Sequence, residues 1–96
     1  MLSSKQRARL RALANPMETI LQIGKGGINE QTLKQVNDAL QARELIKCRV
    51  LETAPYLAKE CANLLAQQVR CEVVQVIGTR FVLYRKNYEN PQIALD

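Results

Sequence analysis

The sequence predicts an α/β fold in which a four-stranded mixed sheet carries three helices in the order α-β-α-β-α-β-β. Three features of the chain predict it. Apolar spacing alternates along the chain between the helical period and the extended one. A glycine-rich turn, Gly24-Lys25-Gly26-Gly27, joins the end of an extended apolar run to the start of a helical one. Gly78-Thr79 separates two runs rich in β-formers, with glycine where a type II′ hairpin turn requires it. Two consecutive strand–helix–strand units favour parallel pairing with right-handed crossovers, and the hairpin adds an antiparallel pair. Strand order is not contained in such a pattern. At 96 residues the chain has the length of one small domain spanning residues 1–96.

The first helix opens at Ser3, whose pairing with Gln6 three residues on fits a capping box, and runs to Ala14, where Asn15-Pro16 stops it. On the helical wheel Leu2, Leu10, Leu13 and Ala14 form one apolar arc bordered by Arg7, Arg9 and Arg11, which are expected to point outward. Met17 to Ile23 reads as a buried strand. From Ile28 the positions Ile28, Leu33, Val36, Ala39 and Leu40 return to helical spacing with Asn29 as N-cap. Leu45 to Leu51 alternates, with Ile46, Cys48 and Val50 on one face and Lys47 and Arg49 on the other. Pro55 suits a first helical turn, and Leu57, Cys61, Leu64, Leu65 and Val69 follow on one side of that third helix. Cys71 to Ile77 and Arg80 to Lys86 are the hairpin strands.

Fourteen Lys and Arg against nine Asp and Glu give a net charge of +5, and its distribution carries more than its size. Residues 1–27 hold Lys5, Arg7, Arg9, Arg11 and Lys25 against Glu18 alone, while residues 28–79 are balanced. Clustered positive charge is the footprint of a polyanion binder, though a solvated basic surface has the same composition. No stretch approaches a membrane span, and the N-terminal charges precede no apolar h-region, which together predict a cytoplasmic protein without a membrane partner. Cys48, Cys61 and Cys71 fit neither a disulfide framework nor a zinc signature, and histidine is absent, so the three read as small core hydrophobes and no metal or other cofactor is expected.

The glycine turn is the local feature with a mechanism. A strand that passes through Gly-x-x-Gly into a helix brings backbone N–H groups and the positive end of a helix dipole to one place, where an anion is stabilised. Lys25 adds a mobile point charge suited to phosphate. The spacing completes neither a Walker A loop nor a dinucleotide fingerprint, so a small-molecule substrate is not expected. Without histidine, a nucleophile elbow or paired carboxylates, the chain does not read as an enzyme. Gly-x-x-Gly before a helix also occurs in KH domains, which clamp single-stranded RNA, but here Glu30 stands where that motif expects an apolar residue and the element order differs.

Several segments taken together carry a resemblance. Ser4-Lys5-Gln6-Arg7 with Leu10 and Leu13, the turn Gly24–Gly27, Glu44-Leu45-Ile46-Lys47, and Val74-Gln75-Val76-Ile77-Gly78 through Val82-Leu83-Tyr84-Arg85 resemble the CRM domain, in particular its stand-alone bacterial YhbY-like members, across residues 2–88. The resemblance implies a fold similar to the C-terminal domain of translation initiation factor three and a role in RNA binding. Bacterial members associate with precursors of the large ribosomal subunit, and plant relatives act in organellar intron splicing. In that family the Gly-x-x-Gly loop contacts RNA, which carries over to Gly24, Lys25, Gly26 and Gly27. Lys5, Arg7, Arg9 and Arg11 on the first helix join them on charge, as do Arg85 and Lys86 at the end of the last strand. The expected partner is therefore rRNA of the precursor large subunit, with a KH-like single-stranded RNA binder and a basic protein–protein adaptor as rival readings. Lys47 and Arg49 read as solvated strand charges outside this set, and Tyr84 as a packed hairpin aromatic. The tail from Asn90 to Asp96 lacks a basic cluster.

Overall fold

The computed structural model describes residues 2–95; Asp96, the last residue of the tail, lies outside them. The elements are α1 (Ser4–Ala14), β1 (Leu21–Ile23), α2 (Glu30–Arg43), β2 (Leu45–Val50), α3 (Ala58–Val69), β3 (Glu72–Ile77) and β4 (Arg80–Tyr84). The sheet order is β1-β2-β4-β3, with β1 parallel to β2 and β4 antiparallel to both of its neighbours. The last strand thus inserts between the second and third. It supplies Phe81, Val82, Leu83 and Tyr84, all buried, to the centre of the sheet.

Two cores follow from the alternation of side chains across the sheet. On one face α2 and α3 bury Val36, Leu40, Cys61 and Leu65 against Ile23, Ile46, Cys48, Val50, Phe81 and Leu83. On the other, α1 packs Leu10 and Ala14 against Leu45, Val74, Val82 and Tyr84. Full burial of one leucine such as Leu10 contributes about 1.5–3 kcal/mol.

Local rules explain most ends. Ser3 caps α1 through its Oγ, which accepts from the Gln6 N–H at 3.1 Å, and the Gln6 side chain accepts in return from the Ser3 N–H at 3.0 Å. Asn29 caps α2 by accepting from Thr32 N–H at 2.9 Å. Gly78 has φ +59 and Thr79 keeps negative φ, the sign pattern of a type II′ turn.

Three expectations need correction. Strand β1 is Leu21–Ile23, because Met17 N–H donates back to Ala14 at the helix end and Ile20 makes a single bond to Lys47 before pairing begins. Helix α3 starts at Ala58, not at Pro55; Leu57 is its exposed N-cap, and Glu60 accepts from Leu57 N–H at 3.1 Å. Leu13 is exposed, because the buried stripe of α1 is rotated toward Arg7.

Candidate nucleic-acid interface

Gly24 to Gly27 is a tight turn closed by Gly27 N–H donating to Gly24 O at 2.9 Å, with Lys25 and Gly26 exposed at its tip. The glycines have different reasons to be there. Gly27 is buried at φ +65, and a Cβ on it would lie 3.2 Å from both Pro55 Cγ and Tyr56 Cε2, so the fold itself requires glycine. Gly26 has ordinary φ, and the nearest atom to an added Cβ is Asn29 Nδ2 at 3.7 Å. Bareness at Gly26 therefore leaves open surface beside Lys25. The turn does not abut the helix directly: Ile28 and Asn29 intervene, the Asn29 side chain takes Thr32 N–H, and Thr32 Oγ1 donates to Gly27 O at 3.2 Å. The N–H groups of Gly27 and Thr32 are thus occupied within the protein, and Lys25 is the exposed charge at the tip of the loop.

The arginines of α1 do not all face outward. Arg7 donates through one guanidinium nitrogen to the carbonyls of Val73 and Val74, the second at 3.4 Å. The sheet explains this: Val74 is the extra residue where the β3–β4 register shifts between Val73 and Gln75, so edge carbonyls there need a donor. Arg9 Nε donates to Ala94 O in the tail at 3.2 Å. Lys5 and Arg11 are exposed. Arg85 is also committed, with bonds to Asn37 Oδ1 at 2.7 Å, Asn37 O at 3.1 Å and Val69 O at 2.9 Å that tie α2 to the end of α3. The Lys86 ammonium lies 5.1 Å from the centre of the Tyr88 ring.

The fold also separates the basic residues by place. Helix α1 crosses the sheet with its C-terminus, Ala14-Asn15, beside Lys47 and Arg80, and its start, Leu2 and Gln6, beside Tyr84, Arg85 and Lys86. The glycine turn leaves β1 at the Arg80 end, where Leu51 N–H bonds Ile23 O and Val50 N–H bonds Thr79 O in the hairpin. Lys25 and the last turn of α1 with Arg11 therefore belong to one end of the sheet, and Lys5, Arg85 and Lys86 to the other.

Glu44 carries a role that the sequence did not reveal. Fully buried at φ 65, it accepts from the backbone N–H groups of Asn87 (2.7 Å), Gln92 (2.6 Å) and Ile93 (2.7 Å), and its own carbonyl accepts from Arg85 N–H at 2.9 Å. Residues 87–93, which include the start of the Asn90–Asp96 segment read from sequence as a tail, are fastened to the end of α2. A carboxylate between a helical pattern and a strand pattern has no signal in periodicity.

The cysteines sit between sheet and helices, with Cys48 and Cys61 buried and Cys71 half-buried. Burial pushes the Cys48 thiol up to about 12 and those of Cys61 and Cys71 to about 11. Among the described residues no group of three His, Cys, Asp or Glu side chains could hold a metal ion, and no helix is long and apolar enough to cross a membrane.

A helix-flanked mixed sheet with a bare, lysine-tipped turn at one end defines a small α/β domain. Residues 2–85 match the CRS1 / YhbY (CRM) domain, and the chain belongs to this family. It is 43% identical over 95 residues to Probable RNA-binding protein YqeI of Bacillus subtilis, covering 99% of both chains. It is 32% identical over 88 residues to a Haemophilus influenzae protein named RNA-binding protein, covering 92% of this chain and 89% of that one. The solution structure of hypothetical protein SAV1595 from Staphylococcus aureus superposes with a TM-score of 0.82 at 49% identity, over the whole of both chains.

Proposed function

We propose that this chain is a cytoplasmic RNA-binding protein that associates with precursor large ribosomal subunits and assists their assembly, holding the rRNA backbone at the Gly24–Gly27 turn. The observation that carries the reading is the exposed tip Lys25-Gly26, where a point charge stands beside surface that no side chain covers. A phosphate can approach such a tip closely, and the names of the Bacillus and Haemophilus relatives support RNA as the source of that phosphate. Lys5, Arg9, Arg11 and Lys86 extend the basic surface. Arg7 and Arg85, bonded to carbonyls, act in this reading by holding elements in place. Recognition is by backbone and shape, and the reading needs no cofactor or small-molecule substrate.

Lys25→Asp together with Gly26→Asp tests the reading. Negative charge and bulk then occupy the place of the phosphate, while the open space and ordinary φ at Gly26 keep the cost to the fold within about 1 kcal/mol. The expected result is loss of co-sedimentation with precursor large subunits and an unchanged circular dichroism spectrum. A variant with Lys34 and Lys59 both changed to Asp serves as the charge control and is expected to bind as the wild type does. Equal binding by loop variant and control overturns the assignment of the turn.

A further inference from the structure

Four residues form one row across the whole sheet at the glycine-turn end: Gln22 pairs with Arg49, Arg49 with Arg80, and Arg80 with Ile77. Their side chains lie on the face of α1, since Cys48 and Val50 on either side of Arg49 point into the opposite core. Helix α1 does not cover the row. It ends at Ala14-Asn15 beside Lys47, so Gln22 and Arg80 stay exposed and Ile77 keeps 63% of its surface in solvent.

Within the row the charges are poorly matched. Arg49 and Arg80 face each other directly, a placement in which side chains begin about 5 Å apart and like charges repel. Arg49 Nε is buried and meets no acceptor among the described residues. The ion pair formed among those residues is Lys34–Asp38, at the surface of α2, so neither arginine has a carboxylate partner. Like charges on directly paired residues lower stability, and a bound oxyanion relieves both the repulsion and the orphaned donor. The row is also continuous with the turn, since Gln22 is two residues before Gly24 and the hairpin tip Gly78-Thr79 closes its other side.

We infer that Arg49 and Arg80 form a second phosphate site, receiving a backbone phosphate of the same RNA strand that passes Lys25, with Lys47 at its margin. This rests on the RNA-binding reading above and extends it from the turn onto the open sheet face. The arginine pair suits phosphate because two planar forks mounted on directly paired residues are within reach of one tetrahedral anion.

Arg80→Gln is the informative variant, since Arg80 is exposed and its loss removes the like-charge pair. Against a labelled RNA stem-loop, its slope of log affinity on log salt is expected to shrink by about 0.7–0.9, which carries roughly a fivefold loss of affinity at physiological salt. In phosphate-free buffer its melting temperature is expected to equal or exceed the wild type's. Added inorganic phosphate is expected to raise the wild-type melting temperature and leave the variant's unchanged, a result that does not depend on RNA. Wild-type affinity and slope in the variant overturn the proposal, as does a lowered melting temperature or equal, arginine-dependent binding of polyglutamate. If the Lys25/Gly26 variant loses RNA while Arg80→Gln keeps it, the second site alone fails; if the wild type binds no RNA, the functional reading fails with it.

Discussion

Glu44 and Gly27 show how single residues hold the turn end and the tail end of the molecule. Glu44 supplies acceptors to three backbone donors of residues 87–93. Glu44→Ala strands those donors beside a buried position and is expected to cost about 2–4 kcal/mol, measured as a lower urea midpoint, with Glu44→Gln costing less. Hydrogen exchange is expected to accelerate at Asn87, Gln92 and Ile93 before it does in β4. Gly27 and Gly26 are neighbours with opposite tolerance. Gly27→Ala meets both a positive φ and ring atoms at 3.2 Å, so thermal melts are expected to show about 1–3 kcal/mol lost. Gly26→Ala, with neither constraint, is expected to stay within about 0.5 kcal/mol. Equal losses at both positions would contradict the turn geometry. The Gly-x-x-Gly pattern was legible in the sequence, but which glycine serves the fold depends on Pro55 and Tyr56, some thirty residues away, and no local pattern records that contact.

At the scale of elements, the helices and three of the four strands were legible because each carries its own period and punctuation. Ser3, Asn29 and Gly78 mark their ends by local chemistry. The apolar run Met17 to Ile23 is longer than β1 because it includes residues that serve α1 and the link, and apolar content alone does not tell a strand from a buried connection. The inward turn of Arg7 was hidden for a related reason: its partner is a carbonyl at a β3 bulge, a feature of register. Arg7→Met is accordingly expected to lower stability by about 1–3 kcal/mol, through unpaired carbonyls at the β3 edge, while leaving the salt slope of RNA binding as it is. The core between the sheet and its α2–α3 layer has a pH signature. Its thiols titrate near 11 to 12 in the folded protein and near 9 when free. Unfolding therefore releases protons once pH passes about 9, so the thiols' contribution to stability is complete below pH 9 and declines from there toward pH 11–12. Urea midpoints measured across that range are expected to fall, and Cys48 and Cys61 are expected to stay silent toward a bulky thiol reagent at pH 8 in native buffer.

Across the whole molecule, the sequence placed the positive charge at the two chain ends, and folding redistributes it. Strand β4 enters the middle of the sheet, which brings Arg80 from the C-terminal segment against Arg49 from the charge-balanced middle and places both at the same end as Lys25. Lys5 and Lys86 lie at the far end, so a backbone that contacts both groups must run the length of α1. Strand order governs this arrangement, and strand order is set by long-range pairing that alternation along the chain does not encode. A single rigid strand of RNA meets only part of the basic surface at once. The salt dependence of affinity for an rRNA fragment, taken for the wild type and for the Lys25→Asp, Gly26→Asp variant, decides whether the glycine turn holds the RNA backbone. The expected wild-type slope of log affinity on log salt is about −3 to −4, with binding by the variant lost in dilute and physiological salt alike. An affinity indifferent to salt, or a variant whose slope and affinity match the wild type's, would contradict it.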